Sequence, residues 1–91
     1  MKLRIALAQV NPTVGDLAAN AALVRENFAS AQDAGAHIVV FPEMVLTGYP
    51  VEDLALRPSF QAASQKAITQ LAGQLTGETV AIVGYLGQVD G

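Results

Sequence analysis

Cysteine is absent from this chain. That excludes a disulfide framework and any thiolate metal site, and it is compatible with a cytoplasmic protein. Histidine occurs once, at His37. With no second histidine and no cysteine, neither a metal cluster nor a histidine-based triad has the material it needs. His37 follows a helix C-terminus, where partial positive charge is favourable. The strong cations are Lys2, Arg4, Arg25, Arg57 and Lys66; they do not cluster, and the net charge is -3. The chain therefore has no electrostatic footprint for nucleic acid or for an anionic membrane. No apolar run approaches the roughly 20 residues of a membrane span. The opening MKLRIALAQVN has no small-residue cleavage site and reads as a strand rather than a signal peptide. The glycines form neither GxGxxG nor a Walker A pattern, so no nucleotide-phosphate site is expected in this segment.

Charge of either sign is scarce. Only 14% of residues are Asp, Glu, Lys or Arg, against about 25% in typical soluble domains. A small domain has much surface for its volume and should carry more charge, not less. One reading is that part of the surface is covered by further polypeptide. The other is an alanine-rich sequence from an alanine-rich proteome. The composition alone leaves both open. The 91 residues suffice for one core, without a linker-like shift, internal repeat or low-complexity segment.

What is present is periodic. Lys2 to Gln9 alternates, with Leu3, Ile5 and Leu7 on one side and Arg4, Ala6 and Ala8 on the other, which predicts a strand. Asn11-Pro12 breaks it. Asp16 is placed as an N-cap, and Leu17, Ala21, Val24, Phe28 and Ala31 recur at helical spacing to give one apolar face. Asn20, Asn27, Ser30 and Asp33 fall largely elsewhere, and Gly35 ends the helix as its C′ residue. A second strand is expected from His37 to Phe41. Ser59 can cap a second helix, with Phe60, Ala63, Ala67, Leu71 and Leu75 as its buried face, Gly73 as a weak point and Gly77 as its end. Thr79 to Tyr85 is a third strand rich in β-branched residues. Asp90-Gly91 is a hairpin-turn signal with no returning strand after it. The order strand–helix–strand–helix–strand predicts an α/β fold with parallel strands and right-handed crossovers.

The centre of the chain is VVFPEMVLTGYPVEDLALRP, Val39 to Pro58. The apolar run Ile38-Val39-Val40-Phe41 ends at Pro42, as a strand buried on both faces should, because proline cannot donate to the ladder. Glu43 follows at once, at the carboxyl end of that strand, where open α/β sheets place ligands and chemistry. A carboxylate there is expected to be partly desolvated, the setting that readies it to act as general base toward a thiol or a water. The competing reading is a surface glutamate held by loop N–H groups. Tyr49 either lines a substrate pocket beside Glu43 or anchors the Gly48-Tyr49-Pro50 loop. Glu52 and Asp53 are adjacent and do not converge on one proton. Asp53 instead is read as capping the Leu54-Ala55-Leu56 turn and meeting Arg57 four positions on. Gln9 ends the first strand near the same rim and is expected to be a satisfied core amide.

FPEM followed by TGYP resembles the first catalytic segment of the carbon–nitrogen hydrolase (nitrilase) superfamily. GYPVEDLALRP and the opening IALAQVNPTVGDLAAN are more narrowly similar to the glutaminase domain of glutamine-dependent NAD synthetases. The resemblance covers Lys2 to Gly91. It implies that residues 1–91 are the amino-terminal part of such a domain, a β-α-β-α-β fragment of an α-β-β-α sandwich whose two sheets pack face to face. It also implies a Glu–Lys–Cys mechanism: glutamate activates a cysteine thiol, the thiolate attacks the amide carbon, lysine stabilises the oxyanion, and water hydrolyses the thioester. Only Glu43, as general base, maps onto this sequence. Lys2 and Lys66 do not match the family's lysine, and no cysteine is available, so the segment alone is expected to be inactive. By the same resemblance the substrate is glutamine. The partner is the rest of the chain, including a synthetase domain with ATP and magnesium, in a cytoplasmic homo-oligomer. Two further readings compete. One is another carbon–nitrogen hydrolase, such as a nitrilase, amidase or carbamoylase. The other is a non-catalytic α/β interaction module, which predicts a self-sufficient sheet; a receiver-like module would need an acidic cluster near Gln9, which is missing.

Overall fold

The computed structural model describes residues 2–49 and 52–86. Along the chain these form β1 (Ile5–Leu7), α1 (Leu17–Asp33), β2 (Ile38–Val40), a 3-10 turn (Glu52–Leu56), α2 (Pro58–Gln74) and β3 (Val80–Ile82). The strands are parallel and neighbour one another in the order β1-β2-β3. Regular pairing is shorter than the alternation suggests. Single bonds carry it further at each end: Ala8 N–H to Val40 C=O at 2.9 Å, Phe41 N–H to Ile82 C=O at 3.1 Å, and Val80 N–H to His37 C=O at 2.9 Å.

Period two decides which residues meet the helices. Ala6, Val39 and Ala81 share one row of the sheet and face the core. Phe28, Val24, Ala21 and Ala31 of α1 and Leu71 of α2 close over them. The rows on either side, Ile5–Ile38–Val80 and Leu7–Val40–Ile82, point the other way. There Ile5, Leu7, Val80 and Ile82 are all more than half exposed, and Ile38 and Val40 are half-buried. The expected burial of β2 on both faces is therefore met on the helix side only. Both helices lie against one face and pack on each other, and among the described residues no layer covers the second face.

The helix ends follow from short-range chemistry. Asp16 caps α1 by accepting the Ala19 N–H at 3.0 Å. At the other end Gly35, at φ 81°, donates to Gln32 C=O, and Ala36 N–H reaches back to Ala31 C=O, both at 3.0 Å. Those are the paired bonds of a Schellman motif, and the buried Ala36 and Ala31 supply its apolar contact. Helix α2 corrects the expectation of a Ser59 cap. Arg57 is the N-cap, without a side-chain bond, and Pro58 occupies the first turn, where its missing N–H costs nothing. Its packed face holds as expected at Ala67, Leu71 and Leu75 and departs at Ala63, which is exposed, while Ser64 is buried and Ile68 packs on the core. The assigned roles of the Glu52 and Asp53 side chains and the Asp90-Gly91 turn lie outside the described residues.

Candidate active site

The carboxyl ends of the three strands gather the segments that follow them: residues 8–16 after β1, 42–49 after β2 and 83–86 after β3. Glu43 emerges here, directly after Pro42. The 42–49 segment folds into consecutive turns. Val45 N–H donates to Pro42 C=O at 3.2 Å, and the Met44 carbonyl accepts both Gly48 N–H at 2.8 Å and Thr47 Oγ1 at 3.3 Å. Val45, Leu46 and Thr47 are fully buried, so the segment is seated in the core through its second half. Gly48, at φ 80°, lies so close to the preceding loop that a Cβ would stand 2.6 Å from Val14 Cα. Glycine is needed there for both conformation and space.

A polar residue outside the sequence-predicted set fixes this seat. Asn20, in the first turns of α1, is fully buried. Its Nδ2 donates to Leu46 C=O at 2.9 Å and to Thr13 C=O at 2.8 Å, and its Oδ1 accepts Thr13 N–H at 2.8 Å. Gly15 N–H adds a bond to Thr47 C=O at 2.8 Å. One amide thus ties the loop after β1 to the loop after β2. This corrects the expectation that Asn20 falls off the apolar face: it lies three after Leu17 and four before Val24, on the buried stripe, and a polar residue there must find partners. Among the described residues no buried side-chain nitrogen or oxygen lacks one.

The candidate side chains themselves stand open. Glu43 is exposed. The partial desolvation expected at a strand end is not supplied by the described residues, because nothing among them roofs the carboxyl edge. Tyr49, 72% exposed, does not anchor its loop against the core. Gln9 is exposed rather than a core amide. Lys2 precedes β1, at the amino end of the sheet and so opposite Glu43; Lys66 is exposed on α2. His37 is a structural contact, its Nδ1 accepting Arg4 N–H at 2.9 Å, while Arg4 caps α1 through Ala34 C=O at 2.7 Å. Open concavities lie elsewhere, about 300 Å³ between α1 and α2 and about 350 Å³ beside β3, and neither is lined by Glu43 or Tyr49. Among the described residues no His/Asp/Glu group could hold a metal ion, and no helix is long and apolar enough to cross a membrane.

A parallel sheet with an exposed carboxylate, Glu43, at its carboxyl edge, on a loop bolted to the core, has the layout of α/β proteins that place ligands and chemistry at strand ends. The carbon-nitrogen hydrolase family profile matches residues 4–88, and the chain belongs to that family. It is 47% identical to a glutamine-dependent NAD(+) synthetase of Rhodobacter capsulatus over 81% of this chain and 13% of that protein. To the same enzyme of Xylella fastidiosa it is 48% identical, over 91% of this chain and 15% of that one. A crystal structure of a glutamine-dependent NAD(+) synthetase from Cytophaga hutchinsonii superposes with a TM-score of 0.88 at 26% identity, covering 96% of this chain and 15% of that chain. An amidase from Nesterenkonia sp. superposes at TM-score 0.71 and 28% identity, over 79% of this chain and 27% of the amidase. The fold is therefore that of the carbon–nitrogen hydrolases, and the chain spans only about one seventh of the length of the synthetases it matches.

Proposed function

We propose that residues 1–91 are the amino-terminal part of a cytoplasmic glutaminase domain, and that the longer protein uses the released ammonia, with ATP and magnesium, to amidate deamido-NAD to NAD. The observation that carries this reading is near-50% identity to glutamine-dependent NAD(+) synthetases across four fifths or more of the chain. Glu43 supplies the chemistry. A carboxylate at a strand end takes a proton from a nearby thiol, and the thiolate attacks the glutamine amide carbon. The C–S bond forms, the C–N bond breaks, and nitrogen leaves as ammonia after gaining a proton. Water, deprotonated by the same carboxylate, then cleaves the thioester to glutamate and regenerates the thiol. Tyr49, exposed two turns after Glu43 in the same segment, lines the glutamine pocket in this reading. The thiol and the oxyanion-stabilising lysine come from polypeptide beyond these residues, which would also roof Glu43 and remove it from bulk water.

The reading is tested by adding sequence. Residues 1–91 alone are expected to release no ammonia from glutamine, and the chain extended to its relatives' length is expected to do so. In the extended chain, Glu43→Gln should reduce hydrolysis about a thousandfold, leaving amidation driven by added ammonia intact. Near-normal hydrolysis by that variant would refute the base assignment. Turnover of simple amides or nitriles in preference to glutamine would instead favour the amidase-like branch of the family.

A further inference from the structure

Gly84 is a glycine for a different reason from the others described. Gly15, Gly35, Gly48 and Gly77 sit at positive φ, where a side chain is strained. Gly73 faces open space. Gly84, just past β3, is not at positive φ, so a left-handed backbone is not what calls for glycine there. Its surroundings would not. A Cβ at this position would stand 2.9 Å from the backbone nitrogen of Met44, 3.6 Å from Met44 Cα and 3.8 Å from the carbonyl carbon of Glu43. The obstacle is main chain and cannot swing aside as a flexible side chain would.

The peptide that Gly84 accommodates is the one leaving Glu43, and the chain on either side of that peptide is held. Met44 has φ 55°, the only positive value outside glycine among the described residues. An unbranched residue held in that region marks a bend the surroundings impose. Upstream, Phe41 N–H is bonded to Ile82 C=O at 3.1 Å, two residues before Gly84. Downstream, the Met44 carbonyl is held by Gly48 N–H at 2.8 Å and by Thr47 Oγ1 at 3.3 Å. Ser64 Oγ, fully buried on α2, accepts Leu86 N–H at 3.3 Å and so steadies the segment carrying Gly84. The Cα–Cβ direction of Glu43 depends on the peptide groups on both sides of it, and Gly84 touches the second.

We propose that Gly84 is a positioning residue for Glu43: its missing side chain lets the Glu43–Met44 peptide lie against the end of β3, and this sets the direction in which the carboxylate leaves the sheet. The inference rests on the reading of Glu43 as general base. A Cβ at 2.9 Å must move to an ordinary contact, displacing the peptide by roughly 0.5 Å or more. Proton transfer needs hydrogen-bond reach, and about 1 Å of misplacement costs about a hundredfold in rate.

The experiment uses the glutamine-hydrolysing chain at the full length of its relatives. Gly84→Ala is expected to lower kcat for glutamine hydrolysis about tenfold or more, with KM and ammonia-driven NAD formation unchanged. Gly73→Ala should leave all three quantities at wild-type values. Wild-type hydrolysis by Gly84→Ala overturns the proposal. So does an equal loss of hydrolysis and ammonia-driven synthesis, since that is what a merely structural role produces. If Gly84→Ala does not fold, the same measurements are made on Gly84→Ala combined with Met44→Gly, where a second glycine lets the bend yield. Reduced hydrolysis with intact ammonia-driven synthesis then supports the proposal, and wild-type hydrolysis overturns it. Glu43→Gln separates the two ideas: an inactive Glu43→Gln beside a fully active Gly84→Ala sinks only the positioning role.

Discussion

Asn20 uses both ends of its amide inside the core, and its loss would strand backbone groups on two loops at once. Asn20→Leu keeps much of the volume but leaves Thr13 N–H, Thr13 C=O and Leu46 C=O without their bonds at 2.8 to 2.9 Å. An unpartnered buried polar group costs about 1–3 kcal/mol. Water can reach the part-buried Thr13 groups more easily than Leu46, so the expected destabilisation is about 3 kcal/mol in total. A denaturant midpoint measured on the extended chain, with faster amide exchange at Thr13 and Gly15 as the local readout, checks it. Asn20→Asp is expected to fare no better, because a carboxylate accepts from Thr13 N–H but has nothing to donate to the carbonyls. At this scale the sequence revealed residue type and strand-end placement better than surroundings. Glu43 after Pro42 was legible because proline ends a ladder. Its exposure was not, because the roof over a strand end is made by sequence-distant polypeptide. The spacing of Asn20 could have shown its burial, but its partners, like those of Gly84, were not legible, because they are contacts across the fold, between α1 and the loop after β2, and between β3 and the peptide after Glu43.

Elements were legible where a local rule governs them and blurred where packing does. Helix α1 runs from the residue after its Asp16 cap to the Schellman turn at Gly35, as capping chemistry dictates. Helix α2 shows the limit. An alanine-rich stretch fits several neighbouring stripes equally well, so the choice of Ala63 over Ser64 for the buried side had no local arbiter. Its glycines offer a paired test. Gly73 lies within α2, and beyond its chain neighbours and the helix's own backbone nothing stands within 4 Å of the place a methyl group would take there, so Gly73→Ala should stabilise by up to about 1 kcal/mol through helix propensity alone. Gly77 has φ 118°, and a Cβ there would collide with the Gln32 side chain. That side chain bonds Thr76 C=O and Thr79 N–H, both at 3.3 Å, linking α1 to the entrance of β3. Gly77→Ala must therefore strain the backbone and push Gln32 off its partners, a loss of about 1–3 kcal/mol. Thermal melts of the two variants in the extended chain should move in opposite directions. Shifts of the same sign would mean that the turn after α2 is not held as described.

The molecule as a whole has a core on one side of its sheet and a second apolar surface on the other. Ile5, Leu7, Val80 and Ile82 expose 52%, 70%, 58% and 54% of their surface. Complete burial of such a side chain contributes about 1.5–3 kcal/mol, so the face is a large unused source of stability. A self-sufficient interaction module would not leave it bare. An α-β-β-α sandwich requires it, because the second sheet must have an apolar surface to pack against. The scarcity of charge read from composition has its structural counterpart here: residues that would be polar on a free-standing domain are branched aliphatics. Ile82→Asp distinguishes the two conditions of this surface. In isolated residues 1–91 it is expected to raise solubility and reduce binding of a hydrophobic dye, since it breaks the patch while the charge stays in water. In the extended chain the same carboxylate would be trapped between sheets without a partner, costing about 3–5 kcal/mol. Tolerance of Ile82→Asp in the extended chain, with an unchanged melting midpoint, would mean that this face meets water in the whole protein and that no second sheet lies against it.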